Sequence, residues 1–111
     1  MNNWKVGVPY FLSVSLAVIL LSTGPAAAGD AGALYKSKCA GCHGPDGKGA
    51  TGAGKALGAH DFASSEIQKM SDAELEQIIS QGKNKMPAYA NKLSATEIKD
   101  LVEYIRGFAK K

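Results

Sequence analysis

The chain's only two cysteines, Cys39 and Cys42, lie three positions apart, and His43 follows at once. Three kinds of chemistry use such a spacing: a redox-active dithiol, half of a zinc site, and covalent attachment of haem. A thioredoxin-like dithiol is expected beside a βαβ pattern, and a structural zinc site needs four ligands. The elements around the motif therefore distinguish the three alternatives.

Helical patterns surround this motif, and the residues after 28 show no sustained period-two alternation of the kind that predicts strands. Asp30 begins a helical stretch that runs through Cys39, and a short helix is expected over 64–70. Between them, the Gly-rich stretch 44–58 is predicted to be a loop.

Two capping boxes predict the starts of two longer helices. Ser71 with Glu74 forms the first box and Ser94 with Glu97 the second, since each hydroxyl and carboxylate satisfies a backbone N–H of the opening turn. Apolar residues at helical spacing follow both boxes: Leu75, Ile78 and Ile79, then Ile98, Leu101, Val102, Ile105 and Phe108. We therefore predict a single all-α domain of three to four helices.

Residues 1–28 have the pattern of a secretory signal peptide. A short segment with one Lys opens the chain, Val6–Leu21 is largely apolar, and Ala26–Ala28 supplies small residues of the A-x-A kind. Cleavage at the end of this Ala run leaves a mature domain, 29–111, in the periplasm or another exported location. An uncleaved leader that anchors the chain is less favoured, because the apolar run falls short of the roughly 18 residues of a spanning helix and Pro9 interrupts it.

The mature domain is close to electrically neutral. Its twelve basic and ten acidic residues give a net charge of +2, which does not indicate a nucleic-acid partner. A chain of this size buries a modest core and often depends on a disulfide, metal or other staple. A disulfide within the Cys pair would enclose only two residues and stabilise little.

Haem attachment accounts for every residue of the motif. Without strands the dithiol lacks its usual setting, and His43 directly after Cys42, with His60 as the only other histidine, gives the wrong spacing for zinc. Cysteines one helical turn apart present both sulfurs to one side, where they can form thioethers with a porphyrin, and the next residue can bring an imidazole to the iron. The motif alone suggests haem attachment, and the predicted export of the chain strengthens this interpretation.

Met86 is the favoured second iron ligand. It precedes Pro87, which disfavours helical backbone angles before it, so Met86 does not belong to a helix stripe. Met70 ends a helical segment and is better interpreted as a core residue. His60 is the rival ligand, although a lone loop histidine is more often a surface group.

These motifs together resemble those of the short single-haem class I cytochromes c of bacterial or photosynthetic electron transport. Three segments carry the resemblance: Leu34–Tyr35 leading into Cys39–Gly44, then Gly82–Pro87, then Leu101–Arg106. They span nearly the whole mature domain.

The resemblance implies haem c held by thioethers at Cys39 and Cys42, with His43 and Met86 as axial ligands. It also implies crossed N- and C-terminal helices, with Tyr35 near Leu101 and Tyr104. The small residue at that crossing matches Ala31, and Gly32 beside it could shift the contact by one position. No Pro in 44–58 corresponds to the one whose carbonyl orients the axial histidine in mitochondrial members, so an acceptor is expected but not identified.

A carrier of single electrons is the function that saturated His/Met ligation implies, with no catalytic residues. Redox proteins, including membrane-bound complexes, are the expected partners of a monomer, and six lysines form a candidate docking patch: Lys36, Lys38, Lys48, Lys55, Lys83 and Lys85. Two alternatives stay open. One is a gas-binding or peroxidase-like haem protein with a labile sixth ligand, and the other is a haem subunit of a larger oxidoreductase.

Overall fold

The computed structural model describes residues 28–110, together with positions 7 and 9. Apart from those two positions and Ala28, the predicted signal peptide lies outside the described residues. The elements are α1 (Ala28–Lys38), α2 (Ala40–His43), α3 (Gly52–Leu57), α4 (Ser65–Gln68), α5 (Asp72–Gln81) and α6 (Ala95–Gly107), followed by a 3-10 turn (Phe108–Lys110). The predicted all-α class is confirmed: in this part of the chain the only β-type pairing is an isolated bridge.

The helices of the described region outnumber the three to four that the sequence predicts. Two of them, α2 and α4, are single turns of four residues each. None of the helices within the described ranges is long and apolar enough to cross a membrane.

The prediction of a continuous loop over 44–58 is wrong, because α3 forms inside it. Thr51 caps its start by accepting a hydrogen bond from the Gly54 N–H, and Gly58 ends it in the left-handed region at φ 73°. Glycine in a helix interior is less favourable than Ala by about 1 kcal/mol. The glycines of α3 therefore prevented its prediction from the sequence. Packing outweighs that cost, since a Cβ at Gly54 would collide with the carbonyl oxygen of Cys42.

Both predicted capping boxes are present. The backbone N–H of Ser71 donates to Glu74 at 2.7 Å, and the Glu74 N–H returns a bond to the Ser71 hydroxyl at 3.1 Å. Ser94 and Glu97 repeat the pattern at the same two distances. The boxes fix where α5 and α6 begin, and the two helices then pack against each other.

Helices α1 and α6 cross as the resemblance implies. Tyr35 and Leu101 are each 1% exposed at this contact, and the rings of Tyr35 and Tyr104 lie 5.0 Å apart. Gly32 faces Tyr104, since a Cβ there would lie 3.4 Å from the ring, while Ala31 is buried beside it. The close approach therefore falls at Gly32.

Candidate functional site

All four predicted site residues line one cavity of about 210 Å³. Cys39, Cys42 and His43 reach it from the α1–α2 junction, and Met86 reaches it from the loop after α5. Apolar side chains of α4, α5 and α6 make up much of the rest: Ile67, Leu75, Ile78, Ile79 and Ile105. The fold thus brings together residues that are 47 positions apart in sequence.

The two cysteines lie on one tight turn. The N–H groups of Cys42 and His43 both donate to the carbonyl of Cys39, at 3.2 and 3.0 Å, so the turn begins at the first cysteine. Both thiols are free and half-buried. Burial, and secondarily the neighbouring Cys42, raises the pKa of the Cys39 thiol to about 11.

This raised pKa bears on the chemistry of the pair. Redox-active dithiols act as thiolates, which a lowered pKa favours, and the raised pKa of Cys39 runs against that role. Within residues 28–110, moreover, no three His, Cys, Asp or Glu side chains are grouped to hold a metal ion. The site has instead an apolar cavity, two adjacent thiols and an imidazole, which is the donor set that covalent haem requires.

The imidazole of His43 is half-buried and stacks on the ring of Phe62, with centroids 4.4 Å apart and an interplanar angle of 24°. Its Nδ1 is buried and forms no hydrogen bond with the residues described. Burial lowers the pKa of His43, so the neutral form that binds metals is favoured.

The backbone of His60 acts on His43 in the opposite direction and raises its pKa. This effect is smaller than that of burial, and no hydrogen bond to His43 Nδ1 forms among the described residues.

Met86 is held by a compact turn. The N–H of Met86 donates to the carbonyl of Lys83 at 2.9 Å, and the Lys83 N–H donates back at 3.2 Å. Asn84 allows this closure by adopting φ 53°, in the left-handed region that Asn tolerates better than most residues. The side chain of Met86 is half-buried against the core, outside any helix, as its position before Pro87 predicts.

Met70 and His60 line the same cavity, so location alone does not separate Met86 from its rivals. Met70 is half-buried and packs against the core, consistent with the core role assigned to it. The imidazole of His60 is 57% exposed, with Nδ1 3.8 Å from a carboxylate oxygen of Glu66.

Thr51 is a site residue that the sequence did not reveal. Its hydroxyl donates to the carbonyl of Cys42 at 2.7 Å and accepts from the N–H of Gly54 at 2.8 Å. One side chain thus caps α3 and ties it to the turn that carries His43. The available sequence signal was a Thr at the position before a short helix, and the surrounding glycines obscured it because they predict a loop.

Tyr89 is a second residue that sequence reasoning missed. Its hydroxyl donates to the carbonyl of Lys38 at 3.1 Å, and its N–H donates to the carbonyl of Ile79 at 3.0 Å. The first bond fastens the loop that carries Met86 to the end of α1, directly before Cys39, and the second fastens it to α5. No local pattern marks a contact between residues 51 positions apart.

The predicted lysine patch is only partly at the cavity. Lys38, Lys83 and Lys85 line it and are exposed, whereas the other three lysines are exposed but do not line it: Lys36, Lys48 and Lys55. The end of α1 and the Met86 loop therefore contribute three positive charges to the cavity lining, to which the exposed Glu66 adds a negative one.

Known proteins match most of the chain. Residues 26–105 match the family model described as "Cytochrome C oxidase, cbb3-type, subunit III". Cytochrome c6 of Gloeothece citriformis (strain PCC 7424) is 34% identical over 108 residues, covering 89% of this chain and 93% of the relative.

Solved structures match as well. The KustC0563 c-type cytochrome superposes with a TM-score of 0.66 at 40% identity, over 70% of this chain and 95% of its own. A tyrosine-to-phenylalanine variant of that protein matches with a TM-score of 0.65 at 40% identity, over 71% and 98%. The four predicted site residues all lie inside the span that the family model matches.

Proposed function

The chain belongs to the small class I c-type cytochromes and carries covalently bound haem c, and from that premise we propose that it is a soluble, exported single-electron carrier with iron bound by His43 and Met86. The observation that carries the proposal is the convergence of Cys39, Cys42, His43 and Met86 on one apolar cavity. Two thiols for attachment and two neutral ligand atoms are what such a site requires.

The residues of the cavity have distinct tasks in this proposal. Cys39 and Cys42 hold the porphyrin through thioethers, and His43 is kept neutral by its burial. The apolar wall excludes water, which preserves a high reduction potential and reduces reorganisation during transfer. Bound haem c supplies an iron that alternates between the ferrous and ferric states.

Met86 is preferred to Met70 because of how each backbone is held. The turn at Lys83 and the anchor at Tyr89 fix the Met86 loop on both sides of the methionine, as a ligand loop requires. Met70 lies two residues beyond α4 and packs against the core. With His43 and Met86 both as ligands, the iron would have no coordination site left for a substrate, which supports an electron carrier rather than an enzyme.

Residues 1–28 serve in this proposal as a cleaved signal peptide, with 29–111 as the mature domain. Support comes from the sequence pattern of the leader and from the match to a cytochrome c6. Mass spectrometry of the protein purified from the periplasm tests it: a chain beginning at Gly29 is expected, and one that retains the leader would contradict it.

Redox proteins are the proposed donor and acceptor, and the exposed Lys38, Lys83 and Lys85 favour acidic docking surfaces. The rate of electron exchange with an acidic partner should fall as ionic strength rises, because screening weakens the attraction. A rate that does not depend on salt would show that these lysines do not contribute to docking.

Optical spectra of the purified protein in both redox states test the ligation. We expect a low-spin spectrum with the weak iron–sulfur charge-transfer band in the oxidised form, and haem that stays on the polypeptide after acid-acetone extraction. Extractable haem would contradict attachment at Cys39 and Cys42. A low-spin spectrum without the sulfur band would contradict Met86.

The second candidate function is a haem subunit of a larger oxidoreductase. It is favoured because the description of the matching family names a subunit of an oxidase. Gentle solubilisation and size-exclusion chromatography of the native protein separate the two. A monomeric peak supports the carrier, whereas stable co-elution with a membrane complex supports the subunit.

A further inference from the structure

Phe62 covers one face of the His43 imidazole. The two ring centroids are 4.4 Å apart with nearly parallel planes, and Phe62 is itself only 8% exposed. Its ring also meets Tyr35 edge-on at 6.3 Å and stacks on Phe108 at 5.9 Å. The aromatic core thus extends without a break from the α1–α6 crossing to the proposed iron ligand.

The backbone of Phe62 is fixed on both sides. Its N–H donates to the carbonyl of Gly47 at 2.9 Å, and its carbonyl accepts from the side-chain amide of Gln68 at 2.6 Å. Phe62 lies in a segment without regular secondary structure, so these two bonds, rather than a helix, determine where its ring lies.

Gln68 is in turn held by the C-terminal helix. The guanidinium of Arg106 donates to the Gln68 carbonyl at 3.1 Å and binds the carboxylate of Asp72 at 2.9 Å. A continuous set of hydrogen bonds therefore connects α6 to the end of α4, and through the Gln68 amide to the residue that stacks on His43.

We propose that Phe62, held in place by the amide of Gln68, is the positioning residue that sets the rotational orientation of the His43 imidazole. The inference rests on the proposed function, since it takes His43 as the iron ligand.

The physical reason is that a histidine bound through one nitrogen can rotate about its bond to the metal. A hydrogen bond to its other nitrogen restricts this rotation, and so does a ring packed against its face. In this protein the stack with Phe62 is formed, whereas His43 Nδ1 makes no hydrogen bond with the residues described. Packing of Phe62 against the imidazole is thus the restraint on ring rotation that is present in the structure.

The orientation of an axial imidazole determines how unpaired electron density spreads over an oxidised haem. It therefore appears in the paramagnetic shifts of the haem methyl protons, which report orientation separately from stability. The experiment records these shifts, together with the melting temperature, for the oxidised holoprotein and for Phe62→Leu and Gln68→Met.

Two matched controls separate positioning from packing. Leu93→Ala removes a side chain that is also 8% exposed but does not line the cavity. Gln77→Met makes the same change as Gln68→Met at an exposed residue of α5 whose amide reaches only Gln81, at 3.5 Å. Leu93→Ala should lower the melting temperature and leave the methyl shifts in place.

We expect the haem methyl shifts of Phe62→Leu to change their pattern, those of Gln68→Met to move in the same direction by less, and those of both controls to match the parent. If Phe62→Leu does not yield folded holoprotein, Gln68→Met against Gln77→Met decides. Parental shifts in the two test variants, or equal changes in Leu93→Ala, would overturn the inference. A parent without a low-spin His/Met spectrum would instead overturn the proposed function.

Discussion

Met86 illustrates how the surroundings of a residue can distinguish it as a proposed iron ligand. Met70 has the same side chain, is also half-buried and lines the same cavity. The two differ in backbone, because Met86 lies on a closed turn in the loop after α5, whereas Met70 lies two residues beyond α4 with its N–H bound to the Ile67 carbonyl. A pair of matched substitutions can therefore separate ligation from packing.

Met86→Ala should open the sixth coordination position. We expect loss of the iron–sulfur band, a lower reduction potential because thioether ligation favours the ferrous state, and binding of carbon monoxide by the reduced protein. Optical titration with carbon monoxide and voltammetry measure these effects.

Met70→Ala and His60→Ala are the controls for that experiment. Met70→Ala should keep the parent's spectrum while lowering the free energy of unfolding by about 2 kcal/mol, as loss of a partly buried Met does. His60→Ala should change neither the spectrum nor the free energy of unfolding. A Met86→Ala variant with the parental spectrum, alongside a changed His60→Ala, would show bis-His ligation.

Among the elements, α5 and the loop that follows it carry the second half of the site. The capping box sets the start of α5, and Gly82 at φ 76° ends it where a Cβ would lie 2.6 Å from the carbonyl oxygen of Met86. Tyr89 then fastens the loop to α1. Both ends of this unit can be perturbed without touching the proposed ligands.

Tyr89→Phe should loosen the Met86 loop. It removes the hydroxyl that donates to the Lys38 carbonyl while keeping the ring, so the expected loss is about 1 kcal/mol. Because the bond holds the loop rather than the whole fold, displacement of Met86 by added imidazole should become easier. Equal imidazole affinities of the parent and the variant would contradict the anchoring role.

Glu74→Gln should make the stability of α5 less dependent on pH. Hydrogen bonds from the backbone and then the hydroxyl of Ser71 lower the pKa of Glu74. The folded pKa lies below the unfolded one, so this contribution is present above the unfolded pKa and is lost as the pH falls through the folded pKa. Denaturation of parent and variant across the acid range should show curves that converge at low pH. Glu76→Gln, on the same helix outside the box, is the control.

For the whole molecule, the α1–α6 crossing joins the two ends of the domain. Tyr104 lies at its centre, tilted against Tyr35 at 5.0 Å and edge-on to Phe108 at 5.4 Å. Tyr35 also donates its hydroxyl to the carbonyl of Gly44 at 2.6 Å, directly after His43. The crossing therefore supports the turn that carries Cys39, Cys42 and His43 as well as the core.

Tyr104→Ala should destabilise the holoprotein by about 2 kcal/mol, less than the roughly 3–5 kcal/mol of a fully buried ring, because Tyr104 is half-buried. Chemical denaturation followed by circular dichroism measures the loss. Glu103→Ala, at an exposed neighbour on α6, should be nearly silent. A loss below about 0.5 kcal/mol for Tyr104→Ala would refute its place in the crossing.

The sequence by itself determined the features that depend on neighbouring residues. The Cys39–His43 spacing needs one helical turn, and the boxes at Ser71 and Ser94 need only a side chain three positions away. Such interactions form within a few residues, so their patterns remain legible without the fold. The all-α class and the positions of α5 and α6 follow from them.

Only the tertiary structure decided the contacts that hold the site together. The stack of Phe62 on His43, the bond from Tyr89 to α1 and the clamp of Arg106 on the end of α4 join residues that lie far apart in sequence or in different elements. Helix α3 forms because its backbone packs closely on the turn of Cys42, against the propensity of its glycines. Interactions of this kind have no sequence period, because they exist only once the chain has brought separate elements together.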